Sequence, residues 1–443
     1  MIIRFIVYNF LFILTLANIN FAQDQFITLT ETDSIKIDSI SISGNDITEE
    51  FVILREINIQ EGDFVKNKTL DFNEERIFSL GLFNKVKINI INRTSFVEMN
   101  IEVAESWYVY PLPFLKLRDN TIARATYGLI VIYKNFRGRN ETIKAVVTAG
   151  LDPTYGLSYY NPTLLTGSDL MLEVDFGYVT RRNRNLIAEN AFGESFDFRY
   201  ILGSVSLGYR FNLFHTISQM TAFEYNELPN EVAHLSASKT NIDRILSLGV
   251  GYSFDSRNLK QFSDDGNFST VLFTHKGFDL NNISYNLFKA DLRQYKSIVD
   301  DLSFKLRGLY RHTFGDQIPF YGLSLLGDIE NIRGHKFRRR EGNNYILTSF
   351  ELNYPIVKEW NLSLDLPLLP KQLTSARIAL FANIFLDSGT TYNNGESISL
   401  KRFDSGYGFG ITLLILPYNA FRFEYAFDEF GQGEFLIESG FSF

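Results

Sequence analysis

The stretch Asp328-Ile329-Glu330-Asn331-Ile332-Arg333-Gly334-His335-Lys336-Phe337-Arg338-Arg339-Arg340 is a cationic tract set among short segments of alternating polarity. Cations so concentrated need an anionic partner. One stands further along the chain, where Phe385-Leu386-Asp387-Ser388-Gly389 ends an alternating strand and puts a carboxylate on the face opposite its apolar residues. If the strands close into a barrel, an Arg on an inward-folded loop and an Asp on the inner wall can pair through a charge-assisted, bidentate hydrogen bond. Gly334 would let the backbone turn sharply beside Arg333.

Outward from that pair, residues 107–443 share one texture of short alternating runs and polar turns. Leu170, Leu172, Val174, Phe176 and Tyr178 take one face, while Met171, Glu173, Asp175 and Gly177 take the other. Val205, Leu207, Tyr209 and Phe211 alternate with Ser206, Gly208 and Arg210, and Phe304, Leu306 and Tyr310 lie opposite Lys305, Arg307 and Arg311. Ile346, Thr348, Phe350, Leu352 and Tyr354 lie opposite Ser349, Glu351 and Asn353. Charges on the second face of so many strands fit a wet lumen better than a sandwich core, because a buried unpaired charge is costly. The composition agrees: 42 Phe and 23 Tyr at a mean hydropathy near zero suit an outer-membrane barrel, whose lipid face consumes aromatics while its inner face stays polar. A soluble array of β-sandwiches is the competing reading. Long loops are expected near 180–194, 226–241 and 328–344, the first and last carrying Arg181-Arg182-Asn183-Arg184 and Arg338-Arg339-Arg340. That last arginine cluster reads as a solvated or lipopolysaccharide-facing patch.

The N-terminus bounds the compartment. Residues 1–22 hold one Arg, Arg4, an apolar core over 5–17, and Asn20-Phe21-Ala22 before a polar segment. This is the pattern of a secretory signal peptide, shorter than the ~18–20 apolar residues of a spanning helix. Residues 23–35 form a short polar linker. No later run reaches spanning length, so a membrane-crossing chain must cross as strands. With no Cys, neither disulfides nor a lipidated N-terminal Cys is available. The 43 Lys and Arg against 51 Asp and Glu give −8, and loss of the leader with its single Arg leaves −9, which argues against nucleic acid as a partner. His215, His234, His275, His312 and His335 are scattered without metal-ligand spacing, and no nucleophile elbow or phosphate loop is present. Asp264-Asp265 before Gly266 reads as a turn. Neither an enzyme nor a metal or cofactor is expected.

Residues 36–105 differ from everything after them. Ile37, Ile40 and Ile42 belong to a first strand closed by Gly44-Asn45. Asp46 and Glu49 have capping-box spacing, opening an amphipathic helix through Phe51, Leu54 and Ile57. Glu61-Gly62-Asp63 is a turn, and a second helix over 69–80 stops at Gly81. Residues 85–90 and 96–103 alternate as two strands around Asn92-Arg93-Thr94. The order is β-α-α-β-β, an α+β domain ahead of the all-β segment.

These residues resemble the BamA/TamA superfamily of outer-membrane barrels, also called the bacterial surface antigen family, as a single-POTRA member. Ile332, Arg333 and Gly334 match the family's Ile/Val-Arg-Gly-aromatic loop tip, and Phe385, Asp387 and Gly389 match its Phe-x-Asp-x-Gly strand. His335 departs from the pattern, standing where the family usually has Tyr or Phe. Gly44, Asn45, Gly62, Asp63, Gly81, Leu82 and Phe83 look like the turns and helix end of one POTRA domain, and each by itself reads more simply as a turn or core residue of a small domain. Asp255-Ser256-Arg257 followed by Asp265-Gly266 resembles a family strand end, as Tyr407-Gly408-Phe409-Gly410, Pro417 and Arg422-Phe423-Glu424-Tyr425 resemble its penultimate hairpin. The chain closes on Phe435, Ile437, Phe441 and Phe443, similar to the C-terminal signature by which barrels are recognised for insertion.

The resemblance implies an antiparallel transmembrane β-barrel over 107–443, with sixteen strands. It implies a periplasmic POTRA domain whose strand edge accepts unfolded polypeptide by β-augmentation. The barrel would close between a first strand at 107–117 and a last at 433–443, a seam that Gly433 and Gly440 weaken and that Phe441 and Phe443 end. The implied function is assembly of outer-membrane proteins by an insertase, with unfolded clients, outer-membrane lipids and periplasmic chaperones or accessory lipoproteins as partners. A translocator of the two-partner-secretion type is the alternative, although 23–35 is too short and polar for a plug helix. A passive pore or surface antigen comes third. Arg333 and Asp387 are either a structural lock or a working part of the lumen.

Overall fold

The computed structural model describes residues 34–93, 95–118, 121–299, 301–327, 330–336, 338–367 and 369–440, with side chains for all of these except 116–118 and 121–124. The expected signal peptide at 1–22, most of the 23–35 linker, and Phe441 and Phe443 lie outside the described residues.

The N-terminal domain runs β1 (Ile35–Lys36), β2 (Ser39–Ser43), α1 (Glu50–Leu54), β3 (Phe64–Val65), α2 (Asn67–Phe78), β4 (Phe83–Asn92) and β5 (Val97–Glu105). The expected first strand is split: its start pairs with β3, while β2 lies parallel to β5, and β4 pairs antiparallel on the other side of β5. Ile37, Val52, Ile53, Ile77, Leu82, Phe83, Met99 and Ile101 are fully enclosed between sheet and helices. Gly44 sits at φ +83°, where an added Cβ would stand 2.0 Å from the Val103 carbonyl, so only Gly allows the strand to leave the sheet there.

The capping box does not form. Helix α1 begins at Glu50 with no side-chain cap, because the amides of Ile47 and Thr48 donate to the Glu105 carboxylate at 3.1 and 2.7 Å. A carboxylate at the end of β5 thus satisfies donors that local spacing assigned to Asp46 and Glu49.

Sixteen antiparallel strands follow in one meandering sheet: β6 (Val109–Arg118), β7 (Thr121–Phe136), β8 (Glu141–Gly150), β9 (Thr154–Asn161), β10 (Leu170–Arg182), β11 (Asp197–Arg210), β12 (His215–Glu227), β13 (Ile242–Asp255), β14 (Gly266–Lys276), β15 (Ser284–Val299), β16 (Leu302–Gln317), β19 (Asn344–Ser363), β20 (Ser375–Tyr392), β21 (Asp404–Leu416), β22 (Asn419–Asp428) and β23 (Gly433–Ser439). Two short strands, β17 (Ser324–Leu326) and β18 (Arg340–Gly342), pair within the long loop between β16 and β19. Helix α3 (Leu186–Phe192) lies in the loop after β10, and α4 (Lys371–Thr374) in the turn before β20. No described helix is long and apolar enough to cross a membrane.

The alternation read from sequence sets the two faces. Val205, Leu207 and Tyr209 point outward, 45, 48 and 43% exposed, whereas Lys305 and Glu351 on the inner face are each 1% exposed. The inner wall in this sector is therefore packed rather than wet, and its charges are compensated by one another. The N-terminal domain seats against turns at one end of the barrel: Glu49 N bonds the Gly138 carbonyl, Asn84 reaches Gln372, and Arg377 grips Glu75 at 2.7 Å. Phe78 of α2 packs with Leu259, Phe262, Leu414 and Leu416 in the same mouth.

Candidate functional site

Three glycines on β21 prepare the site. Gly406, Gly408 and Gly410 recur at the strand period on the inner face, so over this stretch that face carries no side chains and forms a trough. An added Cβ would stand 1.7 Å from the Arg333 carbonyl oxygen at Gly406, 2.7 Å from the Phe385 ring at Gly408, and 2.7 Å from Glu424 at Gly410. Residues of β20 and β22 thus meet across β21, and the loop tip lies directly on its backbone.

Arg333 occupies the centre. Its Nε and Nη2 donate to Oδ2 and Oδ1 of Asp387, both at 2.8 Å, and its backbone N–H also donates to Oδ2 at 3.1 Å. The remaining Nη1 donates to Glu351 at 3.1 Å and Glu424 at 3.0 Å. The guanidinium also lies 3.7 Å over the Phe385 ring. Lys305, directly opposite Glu351 in register, stands 3.8 Å from it, and Arg422 stands 3.9 Å from Glu424. Arg333, Lys305 and Arg422 balance Asp387, Glu351 and Glu424, which is what allows six charges to sit away from water. Gly334 turns at φ +93° against the Phe427 carbonyl. Ile332 is buried with Leu309, Leu326, Tyr345 and Leu347. Gly389 leaves the gap that its side chain enters, with the Ile332 Cδ1 3.1 Å from where a Cβ would stand.

The tip also holds the last strand. Glu434 accepts from the amides of Gly334 and Lys336 at 2.8 and 3.2 Å, Lys336 pairs with Glu438 at 2.9 Å, and Arg422 pairs with the same Glu438. Leu436 packs against Phe385 and Ala426. On its other side, β23 finds no strand: the sheet ends at β6 and β23, which share no backbone hydrogen bond among the described residues. At the mouth, the Tyr110 ring of β6 lies 6.1 Å from the Tyr418 ring in the turn between β21 and β22.

Several expected roles change. Gly433 is exposed, but an added Cβ would stand 2.8 Å from the Tyr425 ring, so it makes room for an aromatic instead of only loosening the strand. Gly440, at φ +119° with open space around it, ends β23. The arginine cluster is not a free patch: Arg338 and Arg340 pair with Asp404, and Arg339 pairs with Glu189 at 2.8 Å, tying three loops together. His335 is buried and pairs with Glu429, so a polar contact replaces the aromatic packing. In the N-terminal domain, Gly62 and Gly81 take positive φ, Asn45 donates to the Thr48 carbonyl, Asp63 accepts from Gln60, and Leu82 and Phe83 are core. Each does structural work. Sequence reasoning missed Glu434 and Glu438, Lys305 as a partner of Glu351, and Gly406; the strand-period glycines on β21 were the available signal.

The comparisons with known proteins bear on this arrangement. The Omp85 superfamily domain profile matches residues 135–443. The chain belongs to the Omp85 superfamily. A POTRA profile, described as a surface antigen variable number repeat, matches residues 35–106 of this Omp85 protein. A search of curated proteins finds no sequence match. Among solved structures it is similar to BamA from Haemophilus ducreyi lacking POTRA domains 1–3, at 16% identity and TM-score 0.54, over 92% of this chain and 84% of that one. It is also similar to CdiB from Escherichia coli, at 12% identity and TM-score 0.54 over 91% and 75% of the two chains. CdiB from Acinetobacter baumannii follows at 13% identity and TM-score 0.51 over 91% and 73%. At these identities the likeness is one of fold: an outer-membrane Omp85 barrel preceded by a POTRA domain.

Proposed function

We propose that this Omp85 protein is an outer-membrane protein assembly factor, inserting client barrels through the seam between β6 and β23. The supporting observation is the state of β23: among the described residues it pairs on one side only, and it is held from within by the loop tip through Glu434 and Glu438. An edge strand with free backbone donors and acceptors is a template for another strand. The POTRA domain, on the periplasmic side, would deliver unfolded clients handed on by chaperones or accessory lipoproteins. Its two sheet edges, β2 and β4, each have an amide already capped by a carboxylate, Ile40 by Glu61 at 3.3 Å and Ile88 by Glu74 at 2.7 Å, which a client strand would displace. The likeness to both BamA and CdiB leaves fold neutral between insertion and translocation. Packing of the inner wall around Arg333 and seating of the POTRA domain in the barrel mouth favour lateral delivery over an open conduit.

The test is depletion in the native cell, followed by counting folded, heat-modifiable barrels in the outer membrane. A broad fall with precursors accumulating in the periplasm is expected. Loss of one exported protein with other barrels intact would replace this reading with a dedicated translocator.

A further inference from the structure

Between the POTRA domain and the barrel mouth lies a cavity of about 190 Å³. Five cations line it: Arg55 and Arg76 from the POTRA domain, and Arg139, Arg210 and Lys260 from the barrel. Among the described residues, two carboxylates, Glu56 and Asp255, line it with them. Both are engaged already. Glu56 takes Arg210 at 2.7 Å and Arg76 at 3.2 Å, while Asp255 holds Arg257 in a two-pronged contact at 2.8 and 3.1 Å, leaving Lys260 at 3.9 Å. Arg55 donates to the Pro162 carbonyl at 2.9 Å, and its nearest carboxylate, Asp169 at 3.9 Å, is half exposed. Arg139 donates to Thr166 at 2.9 Å. Arg76 Nη1 and Nη2 also donate to the Asp255, Arg257 and Leu213 carbonyls, while among the described residues the buried Nε atoms of Arg76 and Arg139 have no acceptor.

The lining therefore carries more cations than carboxylates, on a partly buried wall where charges are screened less than at the open surface. Burial, followed by the neighbouring Arg210, lowers the proton affinity of Arg55, and burial lowers that of Arg76 and Lys260. We propose that this cavity is a binding site for a small oxyanion of the phosphate class, held by Arg55, Arg76 and Arg139 with Lys260 as a further cation. Guanidinium forks match phosphate oxygens, and unsatisfied N–H groups supply the donors. The volume suits a small anion with residual water, at ~30 Å³ per water. Because the cations come from both domains, the docked arrangement binds the anion and the undocked one does not, so the anion latches the POTRA domain to the barrel. The source is either free phosphate or the phosphate of a lipid headgroup. The site stands apart from the assembly reading.

The test uses the full-length protein in detergent micelles. Thermal unfolding is followed in phosphate and in chloride at matched ionic strength. Wild type should show a saturable rise in Tm with phosphate, and an Arg55→Gln/Arg139→Gln variant that still shows heat-modifiable mobility should lose that rise. An equal rise in both proteins, or none in wild type, overturns the site. Calorimetric titration of wild type with inorganic phosphate covers a variant that fails to fold: no heat of binding overturns the proposal. Competition by sn-glycerol 3-phosphate assigns a headgroup source, and binding of phosphate alone assigns the free ion.

Discussion

Removing Arg333 should cost more than removing any one of its partners. Arg333→Ala deletes contacts to three carboxylates and leaves Asp387, Glu351 and Glu424 facing one another, with Lys305 and Arg422 at 3.8 and 3.9 Å as the neighbouring cations. Breaking a buried pair by removing one partner costs ~3–5 kcal/mol, and this site belongs at the upper end because three anions are stranded. Asp387→Ala leaves Arg333 with two carboxylates, so its cost belongs at ~3 kcal/mol or below. The double variant removes the cation and one stranded anion together, and its loss should approach that of Arg333→Ala alone. Simple addition would give ~6–8 kcal/mol, so a coupling of ~2–3 kcal/mol is expected, within the range for contacting residues. The assay is urea unfolding in micelles read by heat-modifiable mobility, with yield of folded client barrels as the functional arm. Losses additive within ~0.5 kcal/mol would refute the coupled cluster. Arg333→Lys keeps the charge and loses the fork, and should recover only part of the stability.

Other consequences follow from the same geometry. Gly406→Ala should prevent the loop tip from seating, because its Cβ meets the Arg333 carbonyl oxygen at 1.7 Å, whereas Gly203→Ala meets nothing within 4 Å; assembly yield should fall only for the former. Glu434→Ala removes the acceptor for two loop amides, each charge-assisted bond worth ~1.5–3 kcal/mol, so hydrogen exchange over 433–439 should speed at least tenfold. Unchanged exchange would mean that the tip does not restrain the last strand. Acidification should loosen the POTRA domain. Burial raises the pKa of Glu56, but Lys260, Arg210 and Arg76 outweigh it and hold it below 4.5. A depressed carboxylate contributes its full stabilisation above that ordinary value and loses it as pH falls toward the folded one, so protease sensitivity of the junction should rise only below about pH 4.5.

Local pattern alone carried much of the architecture. Alternation in Val205, Leu207 and Tyr209 separated the lipid face from the inner one, since a strand has period two wherever one side meets hydrocarbon. The order of turns and helices before Trp107 placed a separate α+β domain, and Arg333 and Asp387 were readable as partners because a cationic tip and an inward carboxylate have few other stable uses. What only the tertiary structure decided depends on proximity across the sheet. That Arg333 serves three carboxylates, that Glu434 and Glu438 tie the loop to the last strand, and that Glu105 replaces a local cap all join residues far apart in sequence. Long-range electrostatics leaves no periodic trace: a glutamate facing solvent and one facing a buried guanidinium are the same letter, and the barrel's closure determines which it is.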